Sequence, residues 1–215
     1  MKKSIIIFGL DNLGRHLAQT FSEHGNDVLA IDIEETKINE YANATFDAHL
    51  GDATMKEFVE ELGVNEVDLC FVTLGDRFKE SLECVDLLKS LDAKKIIARA
   101  HDDSHAKFLC MAGADKVVYA EKELAESMAV AYSANNVFEY ISLSNDYGIY
   151  DVAIPDSWVG KTIAEIDVRR KYEINIIGFK REQIFIPVSN PNHVFIAEEQ
   201  LTIVAEFSNV SKIIK

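Results

Sequence analysis

The chain has 215 residues, 48% of them hydrophobic and 27% charged, a balance that fits one or two folded domains and excludes wholesale disorder. Its 22 Lys and Arg face 36 Asp and Glu, leaving a formal net charge of −14. Non-specific binding to duplex DNA is therefore not expected, nor is any nucleic acid partner, because such affinity is built from neutralised phosphates; a small anion can still bind where backbone amides make a local positive site.

Taken in chain order, Ile5-Ile6-Ile7-Phe8 is a continuous apolar run ending at Gly9, as in a strand buried on both faces. Leu13, Leu17 and Phe21 then recur at helical spacing until Gly25. Val28 to Ile31 forms a second buried strand ending at Asp32, followed by a polar helix over about 34–42. A third strand over roughly 45–50 leads to Gly51-Asp52, and Met55, Phe58, Val59 and Leu62 mark a helix closed by Gly63. Leu69 to Val72 is a fourth strand, Cys84, Leu87, Leu88 and Leu91 a helix, Ile96 to Ala98 a fifth strand, and Val117 to Tyr119 a sixth. His105, Phe108, Leu109 and Ala112 make a helical stripe between the last two.

Six strand–helix units without a proline in the first 140 residues predict a Rossmann-type, doubly wound parallel sheet, an α/β fold. A helix over about 122–140, with Leu124, Met128, Ala131 and Tyr132 on one side, is expected to cross over or dimerise. All three prolines, Pro155, Pro187 and Pro191, follow it. There Asp151 to Ile154, Ile184 to Val188 and Leu201 to Val204 alternate, and one helix is expected over about 161–166. We expect two domains, 1–140 and a small α+β lobe at 141–215, the latter packing against a second copy of itself. Cys70, Cys84 and Cys110 lie far apart and odd in number, the pattern of a reducing compartment. With no apolar run of membrane-spanning length and no signal-peptide core, a soluble, cytoplasmic chain is expected, reaching a membrane only through a partner.

The clearest chemical signal is Gly9-Leu10-Asp11-Asn12-Leu13-Gly14, after the first strand. A dinucleotide turn asks for G-x-G-x-x-G: a tight turn, a close backbone approach to pyrophosphate, and close helix–strand packing. Gly9 and Gly14 fill the first and third places and Asp11 the second; Asp32, at the end of the second strand, suits a ribose-binding acid. The opposing reading is a fold that kept its turn and lost its ligand.

These residues, together with Gly51-Asp52-Ala53-Thr54, Ile97 to Ala100, Gly113-Ala114-Asp115 and Val117-Val118, resemble the regulatory subunits of Ktr/Trk potassium-uptake systems, built from an RCK (regulator of potassium conductance) domain. Val159 to Ile163, Val168 to Tyr172 and Asn175 to Ile177 resemble that family's C-terminal lobe. The resemblance implies a non-catalytic subunit that forms dimers and an octameric ring, docks on a potassium-translocating membrane protein, and is set by ATP or ADP, with NAD or NADH in Trk-type relatives. Gly9, Leu10, Asp11, Asn12, Leu13 and Gly14 then form the nucleotide turn; Asp32 holds ribose, Asp52 and Ala53 lie beside adenine, and Arg99 faces the phosphates. Glu121 matches a glutamate that helps hold a divalent or monovalent cation beside the terminal phosphate, and reads equally as an acid at a helix N-terminus.

Two positions depart from the pattern: Asp11 replaces a glycine, and Asn12 an arginine that reaches the terminal phosphate. Asp11 either repels phosphate or caps the helix and fills the anion site itself. Arg169, Ile174, Asn175 and Pro191 match positions that bind cyclic di-adenosine monophosphate in some relatives; a surface arginine and a turn asparagine are the plain alternative. From a different class, an NAD(P)-dependent oxidoreductase shares the Rossmann signal, but the last 65 residues are short for a substrate domain. The six histidines show no metal-ligand spacing.

Overall fold

A computed structural model describes residues 2–41, 44–133, 136–144, 146–182 and 184–214. The chain divides into two compact units, Met1–Glu121 and Lys122–Lys215.

In the first unit, β1 (Ser4–Phe8), β2 (Asp27–Asp32), β3 (Asp47–Leu50), β4 (Leu69–Val72), β5 (Ile96–Arg99) and β6 (Lys116–Val118) form one parallel sheet in the order β3-β2-β1-β4-β5-β6. That order reverses between β1 and β4, the crevice where doubly wound sheets bind ligands. Register is tight there: Ile5 lies opposite Val28 on one side and Leu69 on the other. The connecting helices are α1 (Asn12–Glu23), α2 (Glu35–Glu40), α3 (Lys56–Glu61), α4 (Phe78–Ser90) and α5 (Asp103–Ala112). Helices cover both faces, so the central strands are apolar throughout. Ile6, Phe8, Cys70 and Val72 pack toward Cys84, Leu88 and Leu109, while Ile5, Ile7 and Phe71 pack toward Leu10 and Ala18. Burial holds the Cys84 thiol far above its ordinary range and pushes Cys70 up to about 12, as expected of inert core thiols.

Helix α6 (Ala120–Ser133) carries the chain into the second unit, where Val130 packs against the lobe's core and Ser127 Oγ donates to the Tyr140 carbonyl at 2.7 Å. The helix expected over 122–140 stops at Ser133; residues 134 and 135 lie outside the described ones, and Val137–Ser142 is strand β7 instead. The reason is tertiary: β7 pairs with β8 (Tyr147–Ala153), and its Val-Phe-Glu-Tyr-Ile composition suits a strand once a partner is present. An antiparallel sheet in the order β10-β9-β11-β8-β7 results, with β9 (Asn175–Arg181), β10 (Ile184–Pro187) and β11 (Gln200–Glu206). The single helix expected near 161–166 is two, α7 (Ile163–Ile166) and α8 (Val168–Tyr172), separated by Asp167 at φ 53°. Trp158 packs against Tyr172 and Phe195 in this lobe's core, and the short α9 (Phe207–Val210) follows β11.

Candidate functional site

The carboxyl ends of β1, β2, β4 and β5 converge on the turn 9–14. Gly9 sits at φ 105°, and a Cβ there would lie 2.2 Å from the Thr73 carbonyl oxygen. At Gly14 a Cβ would lie 2.0 Å from the Gly9 carbonyl oxygen and 2.5 Å from Thr73 Oγ1. Both glycines are thus demanded by the close passage of β1, α1 and the end of β4. Thr73 ties that junction by donating to the Gly9 carbonyl at 2.7 Å. Nothing in the local sequence marked Thr73, because its role exists only once β4 lies beside β1.

Asp32 is buried, with Oδ2 accepting from the Leu10 amide at 2.7 Å and Oδ1 from the Glu34 amide at 3.0 Å. Lys37 Nζ approaches it at 3.4 Å and Arg77 Nη2 at 4.0 Å. Burial works against the Lys37 charge, but Glu34 and Asp32 prevail and hold its pKa above the ordinary value. Two clefts of about 230 Å³ each meet at this carboxylate. One is lined by Asp32, Asp52, Ala53, Thr54, Leu74 and Arg77, and the other by Asp11, Asp32, Lys37, Thr73 and Arg77. Asp52 accepts from both the amide and the hydroxyl of Thr54, at 2.9 and 2.7 Å, which holds the loop after β3 in shape. Lys37 and Arg77 are the cations that sequence reasoning missed.

Asp11 does two things. Its Oδ1 accepts from the Gly14 amide at 2.8 Å, capping α1, and its Oδ2 pairs with Arg99 Nη1. Arg99 also pairs with Glu121 through Nη2. Burial disfavours the Arg99 charge, but the two carboxylates outweigh it and raise its pKa. Glu121 is held below its usual range by its own backbone amide and then by Arg99. Of the two readings of Asp11, the cap is therefore present, and the carboxylate faces the arginine expected to meet phosphate. Leu10 is buried beneath the turn, Leu13 half-buried, and exposed Asn12 accepts from Arg15 Nη2 at 3.3 Å.

Two residues past Arg99, at half-buried His101, begins a polar chain that runs inward to buried His105 and Ser81. Ser81 Oγ donates to the Phe78 carbonyl at 2.8 Å and lies 2.7 Å from His105 Nε2; His105 Nδ1 lies 2.7 Å from His101 Nδ1. With the only hydroxyl proton on Phe78, His105 donates to Ser81 and accepts from His101. Burial, then His101, lowers the His105 pKa. Among the described residues no group of three or more His, Cys, Asp or Glu is placed to hold a metal ion.

In the second unit Arg169 Nε donates to Asn175 Oδ1 at 2.7 Å, so these two are together. Pro191 is exposed, and its carbonyl accepts from the Ala164 amide at 3.0 Å. Ile174 is fully buried in the lobe's core, whereas Arg169 and Asn175 are exposed, so it does not share their surface.

The TrkA-N domain family matches residues 5–120, and the TrkA-C domain family residues 149–215. The chain belongs to the TrkA-N/TrkA-C family. It is 32% identical to Ktr system potassium uptake protein C of Bacillus subtilis over 212 residues, covering 99% of this chain and 96% of that protein. It is also 28% identical to Ktr system potassium uptake protein A of the same organism over 210 residues, covering 98% and 95%. Among solved structures, the GsuK channel bound to NAD superposes with a TM-score of 0.73 at 20% identity, over all of this chain and 40% of that one. The turn 9–14, Asp32, Asp52 and Arg99 fall within the TrkA-N segment, and Arg169, Asn175 and Pro191 within the TrkA-C segment. No helix among the described residues is long and apolar enough to cross a membrane.

Proposed function

We propose that this chain is the nucleotide-sensing regulatory subunit of a bacterial potassium-uptake system, a gating module and not an enzyme. The observation that carries the nucleotide part is the cleft at the β1/β4 switch point, where the Gly9–Gly14 turn and the buried acid Asp32 meet. The potassium part rests on the Ktr relatives, which match along nearly their whole length. On this reading the subunit works at the inner face of the membrane, bound to a potassium-translocating partner and assembled with copies of itself. The ligand is an adenine nucleotide, ATP or ADP or the NAD pair, with Gly9, Gly14, Asp32, Asp52, Ala53 and Arg99 around it. A cation beside its phosphates would fall to Glu121, and a cyclic dinucleotide to Arg169, Asn175 and Pro191.

The mechanism is differential contact. A ligand moves the assembly only by the difference in its affinity for two shapes, and the partner senses that difference. The Ktr relatives, matched along nearly their whole length, favour this reading over the oxidoreductase alternative.

Calorimetric titration of the purified protein with adenosine, AMP, ADP, ATP, NAD and NADH tests the reading. Asp32→Asn is expected to weaken every adenosine ligand by about tenfold or more, because hydrogen bonds to a charged acceptor are worth roughly 1.5–3 kcal/mol. Equal affinity with and without the substitution removes Asp32 from the site. Potassium uptake in cells lacking such subunits, restored by the wild type and not by Asp32→Asn, tests the gating role.

A further inference from the structure

A pyrophosphate bound at a dinucleotide turn finds two attractions: the amides that open the helix, and a basic side chain from a neighbouring strand end. Here both are already engaged by one side chain. Asp11 Oδ1 takes the Gly14 amide at 2.8 Å, while Oδ2 takes Arg99 from β5, 88 residues away. The carboxylate and guanidinium are both mostly buried, with side chains 16% and 17% exposed, so this pair is shielded from water and salt. Arg99 is further engaged by Glu121, so the trio of Asp11, Arg99 and Glu121 carries a net charge of −1 where a phosphate would look for a positive site. Asp11 also lines the cleft that ends on Asp32, so the pair borders the space a ligand would enter.

We propose that Asp11 is a resident anion: it stands in for a ligand phosphate at the opening of α1, holds Arg99 in the empty state, and makes the cleft select its ligand by the nucleoside end. The inference rests on the reading of this cleft as an adenine-nucleotide site. Adenosine, which carries no phosphate, enters without displacing Asp11. A di- or triphosphate must take Arg99 from Asp11, and that exchange also withdraws Arg99 from Glu121 in the first turn of α6. Charge at the phosphate end thus sets both the selectivity and the one contact that a phosphate-rich ligand would change.

The test is calorimetric titration of adenosine, AMP, ADP and ATP into the wild type, Asp11→Asn and Asp11→Ser. Asn and Ser keep a cap acceptor for the Gly14 amide, so folding is preserved while the charge is removed. Cooperative thermal melts of both variants check that they fold. Wild type is expected to bind ADP and ATP no better than adenosine. Both variants should gain about tenfold or more for ADP and ATP, with adenosine changing less than about threefold. Tight ATP binding to wild type that neither variant improves overturns the resident-anion assignment while leaving the nucleotide site standing. Failure of every ligand to bind wild type and variants alike overturns the nucleotide reading, and the assignment with it.

Discussion

The two units each bury an aspartate, and they satisfy it in different ways. Asp32, at the end of a parallel strand, is held mainly by backbone amides of Leu10 and Glu34, with Lys37 and Arg77 at its edge. Asp151, inside an antiparallel strand, is held by side chains: Thr202 Oγ1 donates to it at 2.6 Å, and Lys180 Nζ lies 2.5 Å away and is shared with Glu139. A strand end leaves room beyond it, so the groups around Asp32 border a cleft. A mid-strand position has neighbours on both sides, so the groups around Asp151 close a network. A buried carboxylate therefore signals a binding site only when its surroundings open onto space. The lobe's other buried acid, Glu199, follows the second pattern, paired with Arg181 at 2.6 Å and His193 at 2.9 Å.

The largest expected effect breaks the closed network. Lys180→Ala leaves Asp151 buried without its cation, and a loss of about 3–5 kcal/mol of lobe stability should follow in urea unfolding. The same measurement on Lys37→Ala should show far less, because backbone amides still hold Asp32. Gly14→Ala attacks the open site through packing: its methyl meets backbone 2.0 Å away, so the first unit should lose about 1–3 kcal/mol while the lobe keeps its stability.

Acid should also separate the units. The folded pKa of His105 is lowered from 6.5, so its contribution is fully present above that value and lost as pH falls through the folded pKa. Glu199 is opposed by burial, but His193 and Arg181 lower its pKa from 4.5, so its contribution persists down to about that pH and fades below it. Hydrogen exchange followed from pH 7 to 4 should show α4 and α5 loosening before β11, and His105→Gln should flatten the first step. The smallest effect is a control. Lys79→Ala removes an exposed i,i+4 pair with Glu83 and should change stability by no more than about 0.5 kcal/mol.

Legibility followed the same division. The central parallel strands β1, β2 and β4 were readable because burial on both faces writes a continuous apolar run, and Leu69 to Val72 coincides with β4. Gly9 and Gly14 were readable because a sharp turn and a close helix leave no room for a Cβ. Strand β7 was not: five of its six residues retain some exposure, its pattern lacks clean alternation, and only pairing with β8 decides it. Thr73 and Arg77 were missed because they matter only where the end of β4 meets the turn after β1.

By itself, the amino-acid order determined the alternation of buried strands and amphipathic helices, the glycine turn and its acid, and the change to a proline-bearing lobe. These are local quantities: each residue's size, polarity and backbone freedom act within a few positions along the chain. Tertiary structure alone decided that Asp11, while capping α1, also holds Arg99, that Asp32 takes the Leu10 amide, and that Glu121 shares an arginine with the turn. Those are contacts to charged groups across 22 to 88 residues, and electrostatic energy depends on distance in space and on exclusion of water, neither of which spacing along the chain records.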